Sequence, residues 1–225
     1  MRIHLLSVFL SVILLPFPFG LAQTTSSLDS IPARMHDLIA ANEVPGAVTV
    51  VATRDSVLRM DAQGWADPEH KSSMRVDSIF WTASMSKPIT ATTVLMLMEE
   101  GKLSLDDPIA KYVPELAALK TSHGKTPRIT LRHLLTHTSG MGEATDEETK
   151  AARTLSDLVP AFASKPLAFE PGSKWQYCQS GFLTLGRIVE IVSGLPFGVF
   201  LRKNIFDPLG MKDTTFYLSE AQIKR

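Results

Sequence analysis

At 225 residues, 44% of them apolar, the chain is long enough for one sizeable core or two small ones and has the composition of an ordinary globular protein, which excludes a disordered or collagenous chain. Its 23 basic and 23 acidic side chains cancel, so no basic surface points to nucleic acid or an anionic membrane, and the expected partner is a small-molecule or peptide substrate. Cys178 is the single cysteine, so an internal disulfide is excluded.

Arg2, the almost wholly apolar run from Leu5 to Leu15, and the small-residue pattern Gly20-Leu21-Ala22 form the three parts of a secretory signal, with cleavage expected after Ala22. The run is short for a membrane span and is interrupted by Pro16 and Pro18. The mature chain is therefore expected to be periplasmic or secreted, without a stable membrane anchor. Ser30 reads as the cap of a first helix in which Ile31, Met35, Leu38 and Ile39 recur at helical spacing, ending near Asn42. Pro45-Gly46 turns the chain into Ala47–Thr53, a continuous apolar run rich in β-branched residues that predicts a strand buried on both faces. From Val57 to Gly64, Leu58, Met60 and Ala62 alternate with Arg59, Asp61 and Gln63, which predicts the second strand of an antiparallel hairpin with one wetter face.

Beyond Ser84 the pattern turns helical. Pro88–Glu100 stops at Gly101, a left-handed cap. Further helices are predicted over Leu131–His137 after Thr130, over Leu155–Phe162 with Thr154 and Asp157 as a capping box, and over about Gly181–Ser193. In the last of these Phe182, Leu185, Ile188, Val189 and Val192 form one face, and Gly194-Leu195-Pro196 ends it. A hairpin and one helix do not complete a sheet layer, and no later run restores strands before Arg225.

The segment with the most chemistry is Thr82-Ala83-Ser84-Met85-Ser86-Lys87-Pro88. Proline is tolerated in the first turn of a helix, so Pro88 places Ser84 at or just before that turn, and residues three apart on a helix face the same way. Ser84 and Lys87 can therefore meet. A serine hydroxyl needs a base to become a nucleophile, and a lysine with a depressed pKa can serve. Ser122-His123-Gly124-Lys125 has the same spacing but lies in a polar loop with no helix to hold the pair. His133 and His137 stand four apart on a predicted helix, yet Leu134 occupies the place where a zinc protease carries glutamate, so no metal is expected. Cys178 has no histidine beside it in sequence and reads as a small buried residue.

Four stretches, in order along the chain, carry a resemblance. FWTASMSKPITATTVLMLMEEGKLSLDD from Phe80, ITLRHLLTHTSG from Ile129, FEPGSKWQYCQSGFLTLG from Phe169 and NIFDPLGMKDT from Asn204 together resemble the penicillin-recognising serine hydrolases, the class C β-lactamases and their esterase relatives. The resemblance implies a β-lactamase/transpeptidase-like fold, an antiparallel sheet with flanking helices plus a helical domain. Residues 23–80 would form the N-terminal part of the sheet domain, and 81–225 the nucleophile helix and helical domain. It implies acyl transfer to Ser84 with Lys87 and Tyr177 as general bases, no cofactor, and β-lactam, D-alanyl-peptide or carboxylic ester substrates. Where the family carries asparagine two residues after its tyrosine, this chain has Gln179; as a substrate-binding amide it is one methylene longer, which is expected to disturb its bond to Lys87. No Lys-Thr-Gly triplet, the family's third motif, follows Tyr177, so the chain resembles the N-terminal part of the catalytic domain, with its sheet incomplete at the C-terminal end. The alternative reading is a catalytically impaired homologue acting as a binding module.

Overall fold

Residues 22–223 and Arg225 are described by a computed structural model, so all but the last residue of the expected leader lies outside the described residues. The chain divides into two compact units between Ile79 and Phe80, with Arg225 belonging to the first.

In the first unit, α1 (Ala22–Ala40) precedes β1 (Gly46–Ala52), β2 (Val57–Asp67) and the short β3 (Ser72–Ser73), which pair antiparallel in the order β1-β2-β3. The helix begins earlier than the sequence suggests. Ser30 is an interior residue whose hydroxyl donates back to the Ser27 carbonyl at 2.6 Å, a common use of a mid-helix serine, so it does not cap. Asn42 does stand at the end of the helix, with φ of 57°. The hairpin is as expected, but its faces are not. The Arg59, Asp61 and Gln63 side carries α1: the Arg59 guanidinium donates to Asp29 at 2.6 Å, and Gln63 donates to the Pro32 carbonyl at 3.0 Å. Val50 and Met60, directly opposed in the register, are 53% and 45% exposed, so β1 is not buried on both faces and the wetter face is the apolar one. Polar side chains took the helix-covered face because an ion pair and an amide can each be satisfied there by α1, a solution that binary patterning does not anticipate.

The second unit is helical. Its centre is α2 (Ser86–Glu99), preceded by a single 3-10 turn at Ala83–Met85. Pro88 sits in the first turn, where its missing N–H has no helical acceptor to leave empty. Gly101, with φ of 69°, closes the other end. α3 (Leu131–Leu135), α4 (Asp146–Ala151), α5 (Val159–Ala163), α6 (Gln179–Ser193), α7 (Phe197–Leu201), a π turn at Arg202–Phe206 and α8 (Glu220–Ile223) follow. The apolar face read over residues 182–192 packs α6 onto α2 and α3, where Val94, Leu97, Leu131, Leu134, Leu185, Ile188 and Val189 are wholly buried.

Two helices differ from their sequence reading. α3 ends at Leu135, and His137 follows it with φ of 58°, so His133 and His137 do not share a helix face. The helix expected over residues 155–162 is a 3-10 turn at Ser156–Leu158 followed by α5, with Pro160 near the start of α5, where the N–H it lacks has no helical partner. Thr154 and Asp157 do cap each other: the Thr154 amide donates to Asp157 at 2.9 Å, and the Asp157 amide to the threonine hydroxyl at 3.3 Å.

Candidate active site

Ser84 lies in the 3-10 turn ahead of α2, and Lys87 lies on the first turn of α2, as the spacing predicts. Lys87 is 7% exposed while Ser84 is open to solvent. Lys87 Nζ donates to Ser84 Oγ at 3.4 Å, a long bond. The residue before the serine, Ala83, has φ of 45°, a left-handed backbone that costs a residue with a Cβ about 1–3 kcal/mol. Ser86 ties the turn down by donating its hydroxyl to the Ala83 carbonyl at 2.7 Å.

Tyr177 arrives from the far side of the unit on a segment pinned by the Thr138-Ser139-Gly140 turn. Gly172 N donates to Thr138 O, Ala168 N to Gly140 O, both at 2.8 Å, and Gln176 N to His137 O at 2.9 Å. Gly140 is obligatory here: its φ is 73°, and a Cβ would stand 2.4 Å from the Phe169 carbonyl oxygen. The result is a Tyr177 Oη placed 2.6 Å from Ser84 Oγ and donating to it, the shortest polar contact the serine makes. Lys87 Nζ lies 4.7 Å from the centre of the tyrosine ring. The Lys87 ammonium, and after it the Ser84 hydroxyl, hold the phenol below its ordinary pKa.

Gln179, the first residue of α6, reaches Lys87. Its Oε1 accepts from Lys87 Nζ at 2.6 Å, so the extra methylene does not displace the amide as expected from sequence. The helix start supplies the reach, because the Glu143 carboxylate holds it from outside, accepting from the amides of Gln179 at 2.5 Å and Ser180 at 2.9 Å and from the Ser180 hydroxyl at 2.7 Å. Glu143 was not legible as a site residue; a lone glutamate in a loop gives no periodic signal. Hydrogen bonds to charged groups contribute about 1.5–3 kcal/mol. Gln179→Asn, which shortens the arm, is therefore expected to lower kcat/KM about 10- to 100-fold, and steady-state kinetics on any ester that the protein turns over would reveal an unchanged or raised value if the amide works otherwise.

Cys178 caps α6, its sulfur accepting from Gly181 N at 3.3 Å, and burial pushes the thiol up to about 11, which keeps it protonated. A histidine does stand beside it, but His137 Nδ1 accepts from the Cys178 backbone amide at 3.0 Å and not from the thiol. The second Ser-x-x-Lys is not assembled: Lys125 points to Glu170, 4.0 Å away, from a turn that Gly124 closes. His133 Nδ1 accepts from Thr130 N at 3.2 Å in the cap of α3, and among the described residues no group of three His, Cys, Asp or Glu is placed to hold a metal. Next to Lys87 and Gln179 lies a cavity of about 290 Å³ with apolar walls from Ile89, Leu183, Phe197 and Phe216. A larger cavity of about 530 Å³ shares Leu155, Phe197, Phe206, Thr215 and Phe216 with it but none of the candidate catalytic residues.

The chain is similar to known proteins in sequence and in fold. The chain is 35% identical over 223 residues to esterase EstB of Burkholderia gladioli, covering 90% of this chain and 56% of the relative. It is 32% identical over 178 residues to penicillin-binding protein 4* of Bacillus subtilis, covering 75% and 38%. Among solved structures it is similar to EstCE1, a hydrolase with promiscuous acyltransferase activity, with a TM-score of 0.81 at 27% identity over 88% of this chain and 55% of that one. The chain thus spans about half the length of the curated relatives it matches. The likeness establishes the β-lactamase/transpeptidase-like fold, here as helices and a small antiparallel sheet that does not close. Residues 31–225 match the family model described as beta-lactamase, and the chain belongs to the beta-lactamase family.

Proposed function

We propose that the chain carries the nucleophile side of an exported serine hydrolase that cleaves carboxylic esters through an acyl-enzyme on Ser84. The observation that carries the reading is the chain of contacts from Tyr177 Oη to Ser84 Oγ to Lys87 Nζ to Gln179 Oε1, at 2.6, 3.4 and 2.6 Å. Tyr177, as phenolate, takes the Ser84 proton, and Oγ attacks the carbonyl carbon of the ester. Both Lys87 and Tyr177 can act as bases by residue type, but the closer contact favours Tyr177. Lys87 then supplies the positive charge that stabilises the phenolate. The oxyanion develops at the head of α2, where backbone N–H groups and the positive end of the helix dipole favour it. Collapse expels the alkoxide, which takes the proton from Tyr177. Water, losing a proton to Tyr177, then attacks the acyl carbon; collapse breaks the bond to Ser84 Oγ, which takes that proton back from Tyr177 as the carboxylic acid leaves.

An ester is favoured over the other substrates by the names of the esterase and hydrolase relatives and by the apolar cavity beside Lys87, which suits an aliphatic acyl group. The purified protein should hydrolyse nitrophenyl acetate to octanoate faster than a chromogenic cephalosporin or a D-alanyl-D-alanine peptide, and a fluorophosphonate should label it once, at Ser84. Faster turnover of the cephalosporin or the peptide would transfer the assignment to that substrate. Neither turnover nor labelling would leave the non-catalytic binding module as the better reading.

A further inference from the structure

We propose that neutral His137 is the positioning residue for Tyr177, and that protonating it frees the tyrosine segment and shuts the site in acid. This rests on the reading of Tyr177 as the proton acceptor for Ser84, but no step proposed above uses His137.

Both peptide N–H groups flanking Tyr177 end on this one residue. Gln176 N donates to His137 O at 2.9 Å, and Cys178 N donates to His137 Nδ1 at 3.0 Å. The ring itself stacks on the Tyr177 ring, with centroids 4.6 Å apart and planes 29° from parallel. His137 therefore holds the backbone before the tyrosine through its carbonyl and the backbone after it through its ring nitrogen, and the ring sets the plane of the phenol. It is in turn held between Trp175, edge-on at 6.0 Å, and Phe182 at 5.0 Å. The left-handed backbone at His137, φ of 58°, turns its ring and carbonyl back toward this segment after α3 ends, and histidine and asparagine adopt that conformation more readily than most residues.

Because a backbone N–H can only donate, Nδ1 must keep its lone pair, and the proton of the neutral ring is on Nε2. A second proton would set N–H against N–H and remove the bond. The charged groups that act on the ring are Lys87 from α2 and Glu143 from the loop after α3, and the titratable Tyr177 ring stacks on it. Burial, and then the Lys87 charge, hold His137 below its ordinary value, against smaller opposite pulls, that of Glu143 among them. The clamp is thus intact at neutral pH and is lost as pH falls below the ordinary histidine range, about 6.5.

Two measurements on the whole chain test this. The first does not depend on turnover: in ¹⁵N imidazole spectra, His137 should be the Nε2–H tautomer at neutral pH and should titrate below about 6.5. An Nδ1–H tautomer overturns the clamp. The second uses His137→Asn, which offers an amide oxygen where Nδ1 stood, tolerates the left-handed backbone and does not titrate, beside His137→Phe, which keeps a stacking ring without an acceptor. A displacement of about 1 Å at a reacting group costs up to about 100-fold, so His137→Phe should lower kcat by about 10- to 100-fold with little change in KM, and His137→Asn should recover most of that. On the acid side the wild type should lose kcat/KM with one ionisation more than His137→Asn, the extra one falling below about pH 6.5. The same acid limb in His137→Asn as in wild type overturns the proposal. Full turnover in Tyr177→Phe would instead remove the base role of Tyr177, and the spectrum would still decide the clamp.

Discussion

Ser84→Ala is expected to abolish turnover and covalent labelling while leaving the fold as it is. Loss of the nucleophile in a serine protease costs on the order of 10⁶ in kcat, and a comparable fall is expected here. The side chain is exposed, and its hydroxyl bonds Tyr177 and Lys87, neither of which needs it to stay in place: Lys87 is also held by Gln179, and Tyr177 by the backbone around it. Surface substitutions of this kind usually stay within about 0.5 kcal/mol, so the melting temperature should hardly move. Labelling that survives in Ser84→Ala, or that maps by mass spectrometry to Ser122, removes the assignment. Ser122 is a demanding control because it shares the spacing and lacks the helix.

Removing the proton machinery is the second large effect. Tyr177→Phe takes away one hydroxyl from a half-exposed ring, so packing is nearly preserved, and general-base loss is expected to lower kcat about 10²- to 10⁴-fold. Its pH signature follows from the depressed phenol: phenolate is the active form, so wild-type activity should rise with pH along an ionisation centred below the ordinary tyrosine value of about 10. That limb should vanish in Tyr177→Phe. Lys87→Ala should stop acylation altogether, since it takes the charge from beside the phenol and leaves Gln179 Oε1 without its donor. Because Lys87 is buried, Lys87→Met should accompany it, keeping the stem and discarding only the amine. A Lys87→Met protein that is acylated at the wild-type rate would show that the amine is not needed.

The helical unit was legible to the extent that its signals are local. Pro88, Gly101, the Thr154–Asp157 box and the 3.6-residue recurrence on α6 each describe a few neighbouring residues, and each corresponds to an observed turn or face. The two helices that came out shorter or split, at residues 131–137 and 155–162, involve a left-handed residue and a proline, whose effects depend on which carbonyls are free nearby. The sheet faces were misread because alternation assigns polar residues to water, whereas Arg59 and Gln63 found partners on α1, some thirty residues away.

By itself the sequence determined the Ser84–Lys87 pair, since a helix brings residues three apart onto one side whatever surrounds it. It also determined, through four motifs in order, the family to which the chain belongs. What only the tertiary structure decided is every contact made across the unit: Tyr177 at 2.6 Å from the serine, the reach of Gln179, the brace of Glu143 and the stacking of His137. Those pairs are separated by 36 to 93 positions. No local rule relates residues so far apart; they meet because the buried faces of α2, α3 and α6 fit one another and because Gly140 lets two backbones come close enough to carry the tyrosine across.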